Sequence, residues 1–327
     1  MSNDLAILLA RTYLQIPFDQ FLKEVKTQYP RLGEITQFQP ITEGYEDANI
    51  LLVTETGTYV IKIFSKDRSV ENVRSYIHIL EEAQKIGVPV TRLVPGTKGS
   101  ISFAAENTKT PYCIAEFFDG NDFQEKSPTM DDMVRVASYL AKLNTLRFPM
   151  TEYYDSWGNK NLAVEYEKNK ESLTREQAEL IAPVVESFKK LDFSKFSTSI
   201  IHGDMQRKHV LKNAKGEYCI LDFGCAANGP KVIELSTHLA WFCLGEDTWS
   251  ARKDIMNKVV EEYTSVHHLT KYELDALPIL MRACYAAYYL KTCVLIGDGN
   301  TSQETAQWNK TSLQMLRLAA LAGRGEF

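Results

Sequence analysis

The sequence predicts an α+β fold of two lobes: a small N-terminal lobe built on an antiparallel sheet and a larger, mostly helical C-terminal lobe. Three observations carry that reading. Between Ile35 and Phe64, and again before Asp119, short runs rich in β-branched and aromatic residues are bounded by turn residues. From Pro128 onward the apolar residues recur with helical spacing. No internal repeat and no low-complexity linker interrupts the chain, so residues 1–118 and 119–327 are expected to be lobes of one catalytic unit.

Composition narrows the function classes. A hydrophobic share of 44% with 24% charged residues is ordinary for a globular chain and argues against disorder or a fibrous fold. The net charge of -5 gives no electrostatic footprint for nucleic acid. The six cysteines include no Cys-x-x-Cys pair and mostly sit in apolar runs, which fits reduced core residues. There is no basic-then-apolar start, and no uninterrupted apolar stretch approaches the roughly 18 residues of a membrane span. The expectation is a cytoplasmic protein with neither nucleic acid nor membrane as partner.

In chain order, residues 4–15 and 18–28 are helical by period, punctuated by Pro17 and Pro30. A β-meander follows, with strands over 36–41, 49–54 and 58–64 and a turn at Glu55-Thr56-Gly57. Its third strand carries one lysine, Lys62, among β-branched and aromatic neighbours. A buried, unpaired ammonium is strongly disfavoured, so Lys62 either meets an anion or reaches solvent from an edge. The loop Glu43-Gly44-Tyr45-Glu46-Asp47-Ala48-Asn49 precedes the second strand. Residues 69–86 form a helix ended by Gly87-Val88-Pro89. Beyond a glycine-rich turn, two more strands end in Glu116-Phe117-Phe118-Asp119-Gly120.

In the second lobe, residues 129–146 form an amphipathic helix with Met133, Val136, Ala137, Leu140 and Leu143 on its apolar stripe. Residues 152–170 mix aromatics and charges without a clear period. A helix over 174–190 is expected to be interrupted near Pro183, and further helices cover 250–267, 270–296 and 302–322. Tyr285, Tyr288 and Tyr289 lie on the middle one; tyrosines at helical spacing are more often core than ligand cage.

The chemistry is concentrated between residues 199 and 224. Ile200-Ile201 leads into His202-Gly203-Asp204, a basic loop follows, and two short β-rich runs around a Lys-Gly turn end in Leu221-Asp222-Phe223-Gly224. Two carboxylates whose separation is set by a hairpin suit phosphoryl transfer, where one orients a hydroxyl nucleophile and the other holds Mg²⁺ on nucleotide phosphates. At these residues the chain resembles the aminoglycoside phosphotransferase and choline kinase superfamily, small-molecule relatives of protein kinases. The family has a metal-binding residue five positions after the Asp; here that position is His209, as in macrolide phosphotransferases, where most members have Asn.

The resemblance implies a protein-kinase-like fold and assigns roles by position. Asp204 is the candidate catalytic carboxylate, Asp222 and His209 the candidate metal residues, and Lys62 the clamp on the nucleotide's α- and β-phosphates. Gly44 belongs to the nucleotide-covering loop, a poor cradle in which Glu46 and Asp47 would repel a triphosphate unless turned away. Glu116, Phe117 and Phe118 fall where the family reads adenine, although the phenylalanines suit a core strand equally well. The helix glutamate that partners the strand lysine in the family is replaced by Tyr76, with Glu71 and Glu81 the nearest acids. Glu234 stands where the family has an acid that braces the catalytic loop, and His238 reads as a satisfied helix-surface or core histidine.

The expected reaction is transfer of the γ-phosphoryl group of ATP or GTP, with Mg²⁺ or alternatively Mn²⁺, to a hydroxyl of a small-molecule acceptor. Acceptor classes implied are aminoglycosides, macrolides and amino alcohols. The acids Asp119, Asp122, Glu125, Asp131 and Asp132 fit either attraction of a cationic acceptor or a solvated helix start. The alternative to turnover is a pseudokinase, a nucleotide-binding or interaction module.

Overall fold

The computed structural model describes residues 3–104, 110–245 and 249–322. The chain divides into two units, one running to Asn121 and taking in Leu211–Leu221, the other holding Asp122–Val210 and the chain from Asp222 onward.

The first unit is built on the meander. Strands β1 (Ile35–Ile41), β2 (Ala48–Thr54), β3 (Thr58–Ile63), β4 (Ser102–Ala104) and β5 (Thr110–Glu116) form an antiparallel sheet in the order β1-β2-β3-β5-β4. In β2, Ala48, Ile50, Leu52 and Thr54 face inward and the residues between them do not, the period of a half-buried strand. Ile50, Leu52, Ile61, Ile63, Tyr112 and Ile114 meet Leu5 and Leu8 of helix α1 (Asn3–Leu9), and Phe21 and Val25 of α2 (Phe18–Gln28), in one apolar cluster. Each such side chain contributes about 1.5–3 kcal/mol by leaving water.

Helix α1 is shorter than the expected 4–15. The Thr12 hydroxyl donates to the Leu9 carbonyl at 2.9 Å and accepts the Leu14 N–H at 3.1 Å, closing the helix end with side-chain bonds. Helix α3 (Val70–Lys85) opens on a Ser69–Asn72 capping box and buries Val73, Tyr76, Ile77, Ile79, Leu80 and Ala83. Strands β7 (Val210–Lys212) and β8 (Tyr218–Ile220) pair as a hairpin. Asn121 exchanges backbone bonds with Lys212 at 3.0 and 2.9 Å, and the Ile220 N–H reaches Pro89 O at 2.7 Å.

The second unit is helical: α4 (Met130–Leu143), α5 (Leu162–Asn169), α6 (Arg175–Lys189), α7 (Lys231–Thr237), α8 (Trp249–Val266), α9 (Lys271–Gly297) and α10 (Gln303–Ala322). Strand β6 (Thr198–Ile201) pairs antiparallel with β9 (Ala227–Pro230). Helix α6 continues through Pro183, where an interruption was expected, and α5 with a preceding 3₁₀ turn at Asn159–Asn161 gives order to the stretch that lacked a period. The acids at the start of α4 serve the helix: Asp132 completes a capping box with Thr129. Helix α9 is apolar and long enough to cross a membrane by composition, with 67% of its apolar window buried; it packs on α6, α7 and α10 as a core helix. The sheet-based first unit and helical second unit are the architecture that the sequence predicts.

Candidate functional site

Strand β6 delivers His202-Gly203-Asp204 at its C-terminal end. Gly203 has φ 84, and a Cβ there would sit 2.7 Å from Cys225 O, so the loop can pass this close only without a side chain. Glu234 of α7 is wholly buried and accepts the His202 backbone N–H; burial raises its carboxyl pKa, an effect opposed by His202. The His202 ring is buried too, accepts the Asp204 N–H on Nδ1 at 3.2 Å, and packs edge-on against Phe223 at 4.6 Å. One histidine thus ties the two carboxylate-bearing loops together.

The Asp204 carboxylate is held from two sides. Gln206 Nε2 donates to both oxygens, at 2.8 and 2.9 Å, and the Tyr288 hydroxyl donates to Oδ1 at 2.7 Å. Burial first, and then the Asp204 charge, raise the Tyr288 phenol well above 10, so it stays protonated as a donor. The sequence reading assigned Tyr288 to the core and gave Gln206 no role. Tyr288 is buried like a core residue, but its hydroxyl faces a carboxylate 84 residues upstream.

The His209 ring has one nitrogen near Asp204 and the other near Asp222. Asp222 sits in the left-handed region (φ 57, ψ 67), the one non-glycine with positive φ among the described residues. Such strain clusters at functional sites. His209 is buried; its Nδ1 lies 2.8 Å from the Asp204 main-chain oxygen and its Nε2 3.6 Å from Asp222 Oδ2. A carbonyl only accepts, so Nδ1 carries the proton and, in the neutral ring, the Nε2 lone pair faces the Asp222 carboxylate. Among the described residues no set of three or more His, Cys, Asp or Glu could hold a metal ion. Of Asp222 and His209, the Asp222 carboxylate matches Mg²⁺, which is commonly bound through one or two carboxylates with substrate phosphates and water completing the shell, whereas the His209 nitrogen suits a softer ion.

Beside Asp204 is a pocket lined by Asp155, Trp157, Gly158, Asn159, Gly203, Thr237, Trp241, Cys284 and Tyr288, with an empty volume of about 230 Å³ that includes open solvent. Trp241 comes from a π-helical turn at His238–Leu244, a distortion common at functional sites. Its ring lies 4.8 Å from Tyr288, and Trp157 lies 5.2 Å from Tyr288. Asp155, 4% exposed, accepts the Trp157 N–H at 2.8 Å. Burial, and then the Asp204 charge, push its carboxyl up to about 6. No motif marked Asp155; its only sequence signal was the aromatic cluster around it. His238 does not face the pocket chemistry: it is buried, its Nε2 is 3.1 Å from Met133 O, and burial lowers its pKa to about 4.

Lys208, between Asp204 and Asp222 in sequence, lies 3.2 Å from Glu304 and 5.3 Å from the centre of the Trp308 ring. Burial would depress its ammonium, but the charges of Asp204, Glu304 and Asp222 outweigh it and keep the pKa raised.

The remaining candidates lie in the first unit. Lys62 Nζ is 3.1 Å from Asp47 and 5.7 Å from the centre of the Tyr76 ring. Asp47 is the acid paired with it, and Glu81 accepts the Ser100 hydroxyl at 2.7 Å. Gly44 has φ 92, and its carbonyl accepts Arg11 Nη1 at 2.8 Å. Glu46 and Asp47, feared as repulsive, are both turned onto Arg68. Glu116 and Phe117 are exposed and Phe118 is half-buried, so neither phenylalanine is the core residue that one reading required. The backbone N–H groups of Glu116 and Phe117 bond Arg92 O at 2.9 Å and Thr58 O at 3.0 Å.

The chain is similar to known proteins in sequence and in fold. The family model described as "Phosphotransferase enzyme family" matches residues 37–265. A homoserine kinase of Mesorhizobium japonicum is 24% identical over 272 residues, covering 80% of this chain and 81% of its own. The crystal structure of a spectinomycin phosphotransferase with ADP and spectinomycin superposes with TM-score 0.69 at 15% identity, covering 95% of this chain and 99% of that one. An amicoumacin kinase holding AMP-PNP and Ca²⁺ gives TM-score 0.70 at 13% identity, with 95% of each chain covered. At these identities the structural likeness speaks for the fold.

Proposed function

The chain belongs to the phosphotransferase enzyme family, and from that premise we propose that it transfers the γ-phosphoryl group of ATP to the hydroxyl of a small alcohol that also carries an amine. The observation that carries the acceptor class is the pocket beside Asp204. It pairs a second carboxylate, Asp155, with the rings of Trp157, Trp241 and Tyr288. Carboxylate and aromatic faces both favour a cation. The homoserine kinase relative, whose named substrate is a hydroxyl-bearing amino acid, supports the same class.

In this reading Asp204, held by Gln206 and Tyr288, orients the acceptor hydroxyl and takes its proton as the new phosphorus–oxygen bond forms. Lys62 contacts the α- and β-phosphates, Gly44 lies in the covering loop, and Glu116, Phe117 and Phe118 border the purine. Asp222 and His209 would hold the divalent ion, which when bound neutralises phosphate charge. Mg²⁺ is the first choice for a site of this kind; the amicoumacin kinase structure holds Ca²⁺. Mn²⁺ and GTP remain proposals on the same residues. The six cysteines are free thiols, which supports a reducing compartment such as the cytoplasm. The compared relatives are kinases and phosphotransferases, and nothing in them supports the non-catalytic alternative.

The test is ATP consumption and product mass against ethanolamine-type, choline-type and homoserine-type alcohols, methylthioribose, aminoglycosides and macrolides. Phosphorylation confined to amine-bearing small alcohols is expected. Turnover only with neutral or antibiotic-sized acceptors would reject the acceptor class while leaving the kinase reading intact.

A further inference from the structure

The strand lysine has a buried acidic partner, and it does not come from α3. Lys62 Nζ lies 3.1 Å from Asp47 Oδ2, and the Asp47 side chain is 3% exposed. The other oxygen, Oδ1, accepts the Ser65 N–H at 2.9 Å and Arg68 Nε at 3.1 Å. Arg68 also pairs with Glu46, so the two acids of this loop are gathered by one guanidinium. The Tyr76 ring of α3 lies 5.7 Å from the lysine's Nζ and packs edge-on against Phe64.

The register explains the fit. Asp47 directly precedes β2, and Asn49, two residues on, pairs across the ladder with Lys62. The acid therefore sits at the entry to β2, two residues from the position opposite Lys62, as a diagonal neighbour of the base. Ser65 and Arg68, just beyond β3, grip the carboxylate's second oxygen. The position of the acid is set by the meander and its following turn, not by the placement of a helix.

We infer that Asp47 is the positioning residue for Lys62. This rests on the proposed contact between Lys62 and the nucleotide phosphates. An ammonium has three donors; the bond to Asp47 uses one of them and fixes the lysine's rotamer. Fixing the side chain in advance reduces the entropy lost when nucleotide binds. A buried carboxylate of this kind also requires its cations, which gives the pair a defined geometry.

The experiment is a double-mutant cycle on the full chain, read as nucleotide KM, acceptor KM and kcat. Asp47→Asn keeps the shape and an oxygen for the Ser65 N–H but removes the charge. It is expected to raise nucleotide KM about 10-fold, the scale of coupled contacts, with acceptor KM unchanged. If Asp47 acts through the lysine, Asp47→Asn added to Lys62→Met costs nothing further. Additive losses, or a normal nucleotide KM in Asp47→Asn, overturn the inference. Normal nucleotide kinetics in Lys62→Met would instead overturn the phosphate contact itself, and the inference with it. Should Asp47→Asn fail to fold, Asp47→Glu, which keeps the charge and moves it by one methylene, runs through the same cycle: a raised KM in the wild-type background that vanishes in the Lys62→Met background supports the inference, and a rise of equal size in both overturns it.

Discussion

Tyr288 donates to Asp204 Oδ1 at 2.7 Å from a helix 84 residues further along the chain. The bond leaves Oδ2 with Gln206 as its protein donor and fixes the carboxylate plane. Tyr288→Phe removes that donor and keeps the ring that packs on Trp157 and Trp241. The expected result is a fall in kcat of about 10-fold with nucleotide KM unchanged, the effect of loosening one positioned group. Steady-state kinetics check it; an unaltered kcat would mean that Gln206 alone suffices.

The two carboxylates should separate by function. Asp204→Asn is expected to leave metal-dependent nucleotide binding nearly intact and cut turnover by about 10²-fold or more, as for loss of an acid-base group. Asp222→Asn should instead weaken metal-dependent nucleotide binding itself. Titration calorimetry with a non-hydrolysable nucleotide distinguishes them, and equal loss of binding in both would defeat the division.

The sheet and helices were legible because their periods are strong: β2 alternates along its length, and α4 carries an unbroken apolar stripe. His202, Gly203, Asp204 and Asp222 were legible because their spacing in sequence sets their spacing in the hairpin-linked loops. What the sequence could not display depends on contacts between distant segments. Asp155 and Tyr288 reach Asp204 only through the packing of α9 and the stretch before α5. Asp47 read as a liability to phosphate because its partners, Lys62 and Arg68, are 15 and 21 residues away and are brought together by strand register. The early end of α1 was hidden because Thr12 is neutral by period and acts through its hydroxyl.

His209 makes two contacts that a change of metal can tell apart. Its Nδ1–H braces the Asp204 main chain, and its Nε2 faces Asp222. Imidazole suits softer transition metals, whereas Mg²⁺ prefers oxygen. Wild type should therefore favour Mn²⁺ over Mg²⁺ more than His209→Asn does, when kcat/KM is measured with each ion. An identical metal preference in the two proteins would leave the brace as the histidine's role.

Asp155 gives a pH signature in both activity and stability. Its carboxyl is raised from 3.8 to about 6 by burial and then by the Asp204 charge, with the Trp157 N–H, Cys225 and Lys160 opposing. A cationic acceptor requires the ionised form. On acidification through about pH 6 the free enzyme protonates Asp155, so kcat/KM for the acceptor should fall, a step that Asp155→Asn lacks because its acceptor binding is already weak. Stability runs the other way. The folded state holds this proton where the unfolded chain has released it, so the contribution is present below 3.8 and lost as pH rises through about 6. At 1.36 kcal/mol per pH unit the full difference is about 3 kcal/mol. Asp155→Asn should therefore be more stable than wild type at pH 7.5, with a smaller gain at pH 5, by urea denaturation at both values. A variant no more stable at pH 7.5 would mean that the carboxylate's hydrogen bonds outweigh its burial.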